Sequence, residues 1–250
     1  VIVDAVRSQE STLSAVERDA LKALEGWDFR HNVESTGACI YQTFIGAVLR
    51  NLYEDEMGEK GFDGYRTVAD HWNALKAVMK DESSAFWDDI RTTGKETRAD
   101  TVTKSFKDAV GTLCKLIGND VSGWHWGNIH KMEFKHPFGY VPGLGRIFNV
   151  GPFASSGGPQ LVNNMLTAPG DPPYDVLAGP STRRLIDFAD PEHALDILPT
   201  GNSGYFLSPH YDDQADMFMK GEYREPRLTK EQIESHKKHE MRFGPAGSAR

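Results

Sequence analysis

The chain has 250 residues, with 28 Lys and Arg against 36 Asp and Glu, a net charge of −8 and a pI near 5.6. It is long enough to bury a sizeable core as one large domain or two small ones, and 39% hydrophobic and 26% charged residues are ordinary for a soluble globular protein. The acidic balance, with no basic cluster, argues against nucleic-acid binding, and no apolar run reaches the roughly 18 residues a membrane span needs.

The chain opens Val1-Ile2-Val3-Asp4, without a basic leader or an initiator Met, which points to a processed or truncated chain. Residues 9–25 read as a helix with Leu13, Val16, Leu21 and Leu24 on one face and Ser11 or Thr12 as cap. A second helix is expected from Ser35 to about Glu56, carrying Ile40, Phe44, Ile45, Val48, Leu49 and Leu52, with Gly58 as a stop. A third runs from Tyr65 to Met79 through Val68, Trp72, Leu75 and Val78. A fourth, from Arg98 to Leu116, is closed by Gly118-Asn119-Asp120. Cys39 and Cys114 allow one bridge or none and do not fix a compartment.

The pattern changes at Val121. Trp124, Trp126, Asn128, His130, Met132, Phe134 and His136 fall on alternate residues, the period of a half-buried strand. A Gly- and Pro-rich crossing follows from Pro137 to Pro159. Arg183–Phe188 and Ala194–Leu198 read as further strands. Thr229-Lys230-Glu231-Gln232 is a capping box opening a last helix to about Arg242, and Phe243–Arg250 is expected to fray.

Several groups invite chemistry. His130 and His136 share a strand face, but six residues of extended chain separate them by about 20 Å, too far for one metal. Adding His125 does not make a ligand set, so hydrogen-bonded histidines are the plainer reading. Gly139–Gly145 has neither Walker nor Rossmann spacing, and Pro142 removes a donor that a phosphate cradle would use. Gly151–Gly158 lets backbone approach closely, either to a ligand or to another strand. Asp88, Asp89 and Glu96 form an acidic group, an acid/base pair or a helix start. Gly201-Asn202-Ser203-Gly204 lacks the Gly-x-Ser-x-Gly spacing of a nucleophile elbow.

The densest polar stretch is Ser203–Arg224. Its Ser208, His210 and Asp212 look like a triad. Alternate residues of one strand, however, stand about 6–7 Å apart, and a nucleophile and its base need about 2.6–3.2 Å. The alternative is a polar turn in which His210, Asp212, Asp213 and Gln214 bond buried backbone.

Ordered motifs along residues 20–240 resemble the penicillin acylase (penicillin amidase) family of N-terminal-nucleophile (Ntn) hydrolases, which includes acyl-homoserine-lactone acylases. They are Gly26-Trp27-Asp28; Phe86-Trp87-Asp88-Asp89 with Glu96-Thr97-Arg98; Trp124–His130 with His136-Pro137; Gly158–Asn163; Gly179–Asp187; and Leu198–Gly204 with Ser208–Gln214 and Gly221-Glu222-Tyr223.

The resemblance implies an α+β fold, part of an αββα sandwich. A helical first half (about 9–118) would be followed by a β-rich half and a C-terminal helix. No linker-like Ser/Gly/Pro tract separates the halves, so residues 1–250 read as one unit, with helical residues 1–120, β-rich residues 121–225, and a terminal helix and tail at 226–250. The chain would be the C-terminal part of a β chain. The serine nucleophile, the oxyanion-hole asparagine and the ligands of a structural calcium would lie upstream. No catalytic residue is then assigned here, no cofactor is required for the chemistry, and no metal ligand is named. Partners would be the upstream β-chain part, the α chain and an N-acyl substrate, in a periplasmic or secreted zymogen-derived enzyme. The rival readings are a non-catalytic binding or assembly module, and a metal hydrolase built on His130, His136 and His210. An isolated fragment should expose an unpaired sheet edge and apolar surface, and so dissolve poorly.

Overall fold

The computed structural model describes residues 1–67, 71–170 and 172–245. The chain divides into two compact units, Val1–Pro180 and Ser181–Arg250. Helix and strand are mixed, as the α+β expectation requires.

The first unit opens with α1 (Ile2–Ser8), which the sequence reading missed. A short 3-10 turn, Glu10–Thr12, leads to α2 (Ala15–Glu25). The helix expected over 9–25 therefore starts later, and its cap is Ser14 rather than Ser11 or Thr12. The Ser14 hydroxyl accepts from the Glu17 N–H at 3.3 Å while the Glu17 carboxylate accepts from the Ser14 N–H at 2.6 Å. This reciprocal pair satisfies two of the donors a helix start leaves open.

The axis of the unit is α3 (Thr36–Tyr65). It is buried on nearly all sides between Gly37 and Tyr53, as a helix must be when other elements surround it. Gly58, the expected stop, has non-helical backbone (φ 66°, ψ 163°), so the first helical segment ends there as the sequence puts it and a second runs on to Tyr65; glycine adopts such an angle without strain. Gly37 seats an aromatic ring: a β-carbon there would stand 2.1 Å from Cγ of Trp27. Tyr65 thus closes α3, and the third expected helix is α4 (His71–Lys80). Val68, placed on its face, lies outside the described residues.

Helix α5 (Arg98–Ile117) matches expectation and packs on α1, α2 and α3. Thr97 and Asp100 form its capping box, and Gly118 ends it at φ 90°. Phe106, Leu113, Leu49 and Leu52 are fully enclosed between these helices, each contributing about 1.5–3 kcal/mol through apolar burial. Both cysteines are free; Cys39 is buried in α3 and Cys114 half-buried in α5.

The strand expected from Val121 to His136 is mostly not a strand. Val121–Gly123 is a 3-10 turn, α6 (Trp126–Ile129) a single helical turn, and only Lys131–Phe134 extends, as β1. The aromatic alternation has another cause. Trp124 and Trp126 are both buried because their indole N–H groups reach inward to the carbonyls of Gly118 and Gly157, each at 2.8 Å. Strand β1 pairs antiparallel with β2 (Val150–Ala154), and α7 (Gly145–Phe148) lies in the connection. The other edge of β1 is covered by the segment that donates from Tyr174 N to Ile129 O and from Val176 N to Lys131 O.

In the second unit β3 (Arg183–Leu185) and β4 (Leu195–Ile197) pair antiparallel, each shorter than expected. Asp196 and Arg224 exchange backbone bonds of 2.8 Å on the other side of β4. Helix α8 (Ala215–Lys220) follows the polar stretch, and α9 (Lys230–His236) begins at the expected Thr229–Gln232 box. It stops at His236 instead of Arg242. It buries no side chain, so nothing tertiary extends it beyond its cap.

Candidate functional site

The first unit contains a cleft of about 860 Å³ lined by Ile2, Val3, Leu24, Trp27, Tyr41, Trp72 and Met79, with His31 and Gln42 as its polar floor. Local sequence builds it. Helix α2 ends at Gly26, and the Asp28 carboxylate accepts from the Arg30 N–H at 3.0 Å, turning the chain. The Ser35 hydroxyl then caps α3 by accepting from Ala38 N at 3.1 Å. Between those turns the Trp27 ring lies on Gly37, 5.3 Å from Tyr41 and 5.1 Å from His31, and donates its N–H to the Arg30 carbonyl at 2.9 Å.

His31 and Gln42 are buried, and the Gln42 amide meets His31 Nε2 at 3.0 Å. Burial pulls the His31 pKa below its ordinary value, opposed by the nearby Phe29 carbonyl. Behind it, Trp126 presents an edge to His31 and stacks on His130 at 4.3 Å. His130 Nδ1–H donates to the Tyr174 carbonyl at 2.7 Å; its Nε2 is buried with no hydrogen-bond partner. A proton there would be a desolvated charge without an acceptor, so burial drives the His130 pKa down to about 4. The floor is a polar surface within largely aromatic and aliphatic walls, to which the Arg7–Glu25 ion pair also contributes. The aromatic part of such a concave arrangement suits an apolar group.

The other sequence candidates fall as follows. His136 Nδ1 accepts from the Phe138 N–H at 3.1 Å and its ring stacks on Phe148. His130 and His136 are thus each engaged by neighbours of their own. Among the described residues no three His, Cys, Asp or Glu side chains gather at one point, and no carboxylate-based donor set for calcium is formed by them.

Asp88, Asp89 and Glu96 lock a loop. Glu96 N donates to Asp88 at 3.0 Å, Asp89 N donates to Glu96 at 3.1 Å, and Arg91 clamps Asp89 with two bonds. The Arg91 hydrogen bond holds the Asp89 carboxyl well below the usual carboxylate range. This pattern fastens a turn; the charge at the start of α5 comes instead from Asp100. Gly151 and Gly157 approach protein backbone, the Met132 and Asn163 carbonyls.

In the second unit the Ser203–Arg224 stretch is a succession of turns ending in α8. Gln214 is its buried member. Its Oε1 accepts from Leu198 N at 3.1 Å, its Nε2 donates to Asn202 at 3.3 Å, and its own N–H donates to the Thr200 carbonyl at 2.8 Å. His210 Nδ1–H donates to Asp213 at 2.9 Å on the surface. The Ser208 hydroxyl accepts from the backbone N–H of His210. Asp212 is exposed and contributes its backbone carbonyl to Ala215 N. Arg183 lies over the Phe218 ring, 3.9 Å from its centroid.

His31 and Gln42 were missed in the sequence. A signal existed: Gln42 is a polar residue one turn from Ala38 on a helix face otherwise apolar.

Residues 2–235 match the family profile described as Penicillin amidase. The chain belongs to the penicillin amidase family. It is 28% identical over 211 residues to the acyl-homoserine lactone acylase QuiP of Pseudomonas fluorescens, covering 82% of this chain and 25% of that protein. It is 27% identical over 223 residues to QuiP of Pseudomonas aeruginosa, covering 82% and 26%. Against the penicillin acylase 2 proenzyme of a Pseudomonas species it is 21% identical over 196 residues, covering 77% and 24%. The chain thus spans about a quarter of the length of the curated relatives it matches. Its fold is similar to that of the thermostable penicillin G acylase from Alcaligenes faecalis, with a TM-score of 0.52 at 14% identity, over 96% of this chain and 45% of that one. The Trp27 turn, the Trp126–His130 stack and the Gln214 turn all fall within the family match.

Proposed function

We propose that this chain is the C-terminal portion of a penicillin amidase-family hydrolase that cleaves N-acyl amide bonds. The family match over residues 2–235, at about a quarter of the relatives' length, carries the reading. In this reading the nucleophile is an N-terminal serine in the upstream part of the β chain. It attacks the amide carbonyl, the amine departs, and water releases the acyl group from the acyl-enzyme. Residues 1–250 serve as scaffold, adding their helices and short strands to the parent's αββα layers. A structural calcium, where the parent holds one, takes its ligands upstream.

The relatives' names point to acyl-homoserine lactones first and β-lactam side-chain amides second. The proenzyme in one name fits a precursor cleaved into chains, and the family setting fits the periplasm or secretion. An upstream nucleophile is supported by the Ser208 hydroxyl, which accepts from the His210 backbone N–H. The cleft over Trp27 is the observation a binding-only module would use.

One experiment separates these readings. The purified chain is assayed on a long-chain acyl-homoserine lactone and on a phenylacetyl amide, alone and joined to the parent's upstream segments. No turnover alone and turnover in the joined protein is the expected result. Turnover by the isolated chain at ordinary enzyme rates, about 1–10³ s⁻¹, would place the nucleophile within these residues. Ligand binding without turnover in the joined protein would favour the module.

A further inference from the structure

The β1–β2 connection in the first unit combines exposed apolar side chains with basic ones. Residues 134–149 contain no Asp or Glu; their basic groups are Lys135, His136 and Arg146, in a chain whose net charge is −8. Four large apolar side chains of this segment face solvent: Phe138 at 58% exposure, Tyr140 at 76%, Val141 at 50% and Ile147 at 53%. Lys135 and Arg146 are exposed as well, and neither has an ion-pair partner among the described residues.

This exposure does not come from a slack loop. Pro137–Tyr140 is a 3-10 turn and Gly145–Phe148 a helical turn, and internal hydrogen bonds hold both. Gly139 N donates to His136 O at 2.8 Å, Val141 N to Phe138 O at 3.1 Å, Leu144 N to Val141 O at 3.0 Å, and Asn149 N to Gly145 O at 2.9 Å. Asn149 braces the frame: it accepts from His136 N at 3.1 Å and donates to Glu133 at 3.2 Å. Phe148 fills the inside against His136 and Phe138. The frame therefore holds the remaining apolar side chains outward.

We propose that this hairpin tip is a docking surface for an anionic lipid membrane, with Phe138, Tyr140, Val141 and Ile147 entering the interface and Lys135 and Arg146 pairing with lipid phosphates. Three features select lipid over a protein partner. Backbone that enters an apolar medium must satisfy its own polar groups, and six N–H groups of this tip, those of Gly139, Val141, Leu144, Ile147, Phe148 and Asn149, find acceptors within it. Aromatic side chains with cationic neighbours are the composition favoured at the headgroup level. A lipid surface also accepts apolar side chains presented singly along a turn, without a matched cavity. This reading adds membrane association to the proposed hydrolase and does not depend on it.

Flotation with phosphatidylcholine vesicles, with and without phosphatidylglycerol, tests it. The chain is expected to float with phosphatidylglycerol vesicles and to be released by salt. The double variant K135Q/R146Q should partition about thirtyfold less, at about fivefold per basic residue. F138S/Y140S should lose binding at low and high salt alike. K135Q/R146Q should leave circular dichroism and melting unchanged; because Phe138 also packs on Phe148, Y140S alone, at the most exposed of the four apolar side chains, should lose part of the binding with the fold intact. Equal flotation of wild type and variants, or none with either vesicle, overturns the proposal. So does flotation of this chain with none by the joined parent protein, since the tip would then be covered by protein.

Discussion

The helical layer around α3 and α5 and the polar turn around Gln214 hold their shapes by different means. In the first, enclosed Leu, Phe and Trp side chains are removed from water from several directions, and the stabilisation is spread over many of them. In the second, one buried amide joins Leu198, Asn202 and Thr200, and the neighbouring His210, Asp212 and Asp213 remain at the surface. The contrast teaches where damage should be sharp. Loss of volume should dominate in one region and loss of a single directional group in the other.

The largest expected effect is in the helical layer. Phe106→Ala should destabilise the first unit by about 3–5 kcal/mol through the cavity it leaves. Urea unfolding followed by tryptophan emission measures it, since Trp27, Trp72, Trp87, Trp124 and Trp126 all lie in that unit. A change below about 1 kcal/mol would show that the layer collapses around the gap.

Acid should act next, through His130. Its folded pKa of about 4 lies below the ordinary value of 6.5. Between those values the unfolded chain binds the proton and the folded chain does not. Stability is therefore whole above pH 6.5 and falls as the pH drops toward 4, by roughly 3 kcal/mol. His31, shifted the same way by burial, adds with the same sign. Unfolding at stepped pH should show this loss, and His130→Gln should flatten it. An unchanged slope in that variant would remove His130 as the source.

The turn gives the smallest pair of effects. Gln214→Ala leaves the Leu198 N–H without its acceptor and should cost about 1–3 kcal/mol. Asp212→Asn, at an exposed side chain, should stay within about 0.5 kcal/mol. Hydrogen exchange at the Leu198 amide separates the two. Equal protection in both variants would erase the distinction between wired and solvated polar groups.

Much of this was legible in the sequence, and the failures have physical causes. The helices of the first unit could be read from the spacing of Phe44, Val48 and Leu52, or of Val102, Phe106 and Leu113, because burial of one face imposes that period. The caps at Thr229 and Gly118 were legible because they are local chemistry. Trp124–His136 deceived because buried indoles at alternate positions imitate a strand, here with their ring N–H groups bonded to the Gly118 and Gly157 carbonyls. The cleft was hidden because Trp27, Tyr41 and Trp72 come from separate elements, and only packing brings them together. The family resemblance was legible because its motifs are the turns: Gly26-Trp27-Asp28 places an indole, and Leu198 to Gln214 closes around one amide.

The two thiols offer a built-in clock. Cys39, at 0% exposure and with its pKa raised by burial to about 12, is inert while α3 is packed. Cys114, only half-buried, is open to reagents. A thiol label should mark Cys114 first without any mutation. The later uptake at Cys39 then times the opening of the helical layer, since that sulfur becomes reactive only when α3 comes away from its neighbours.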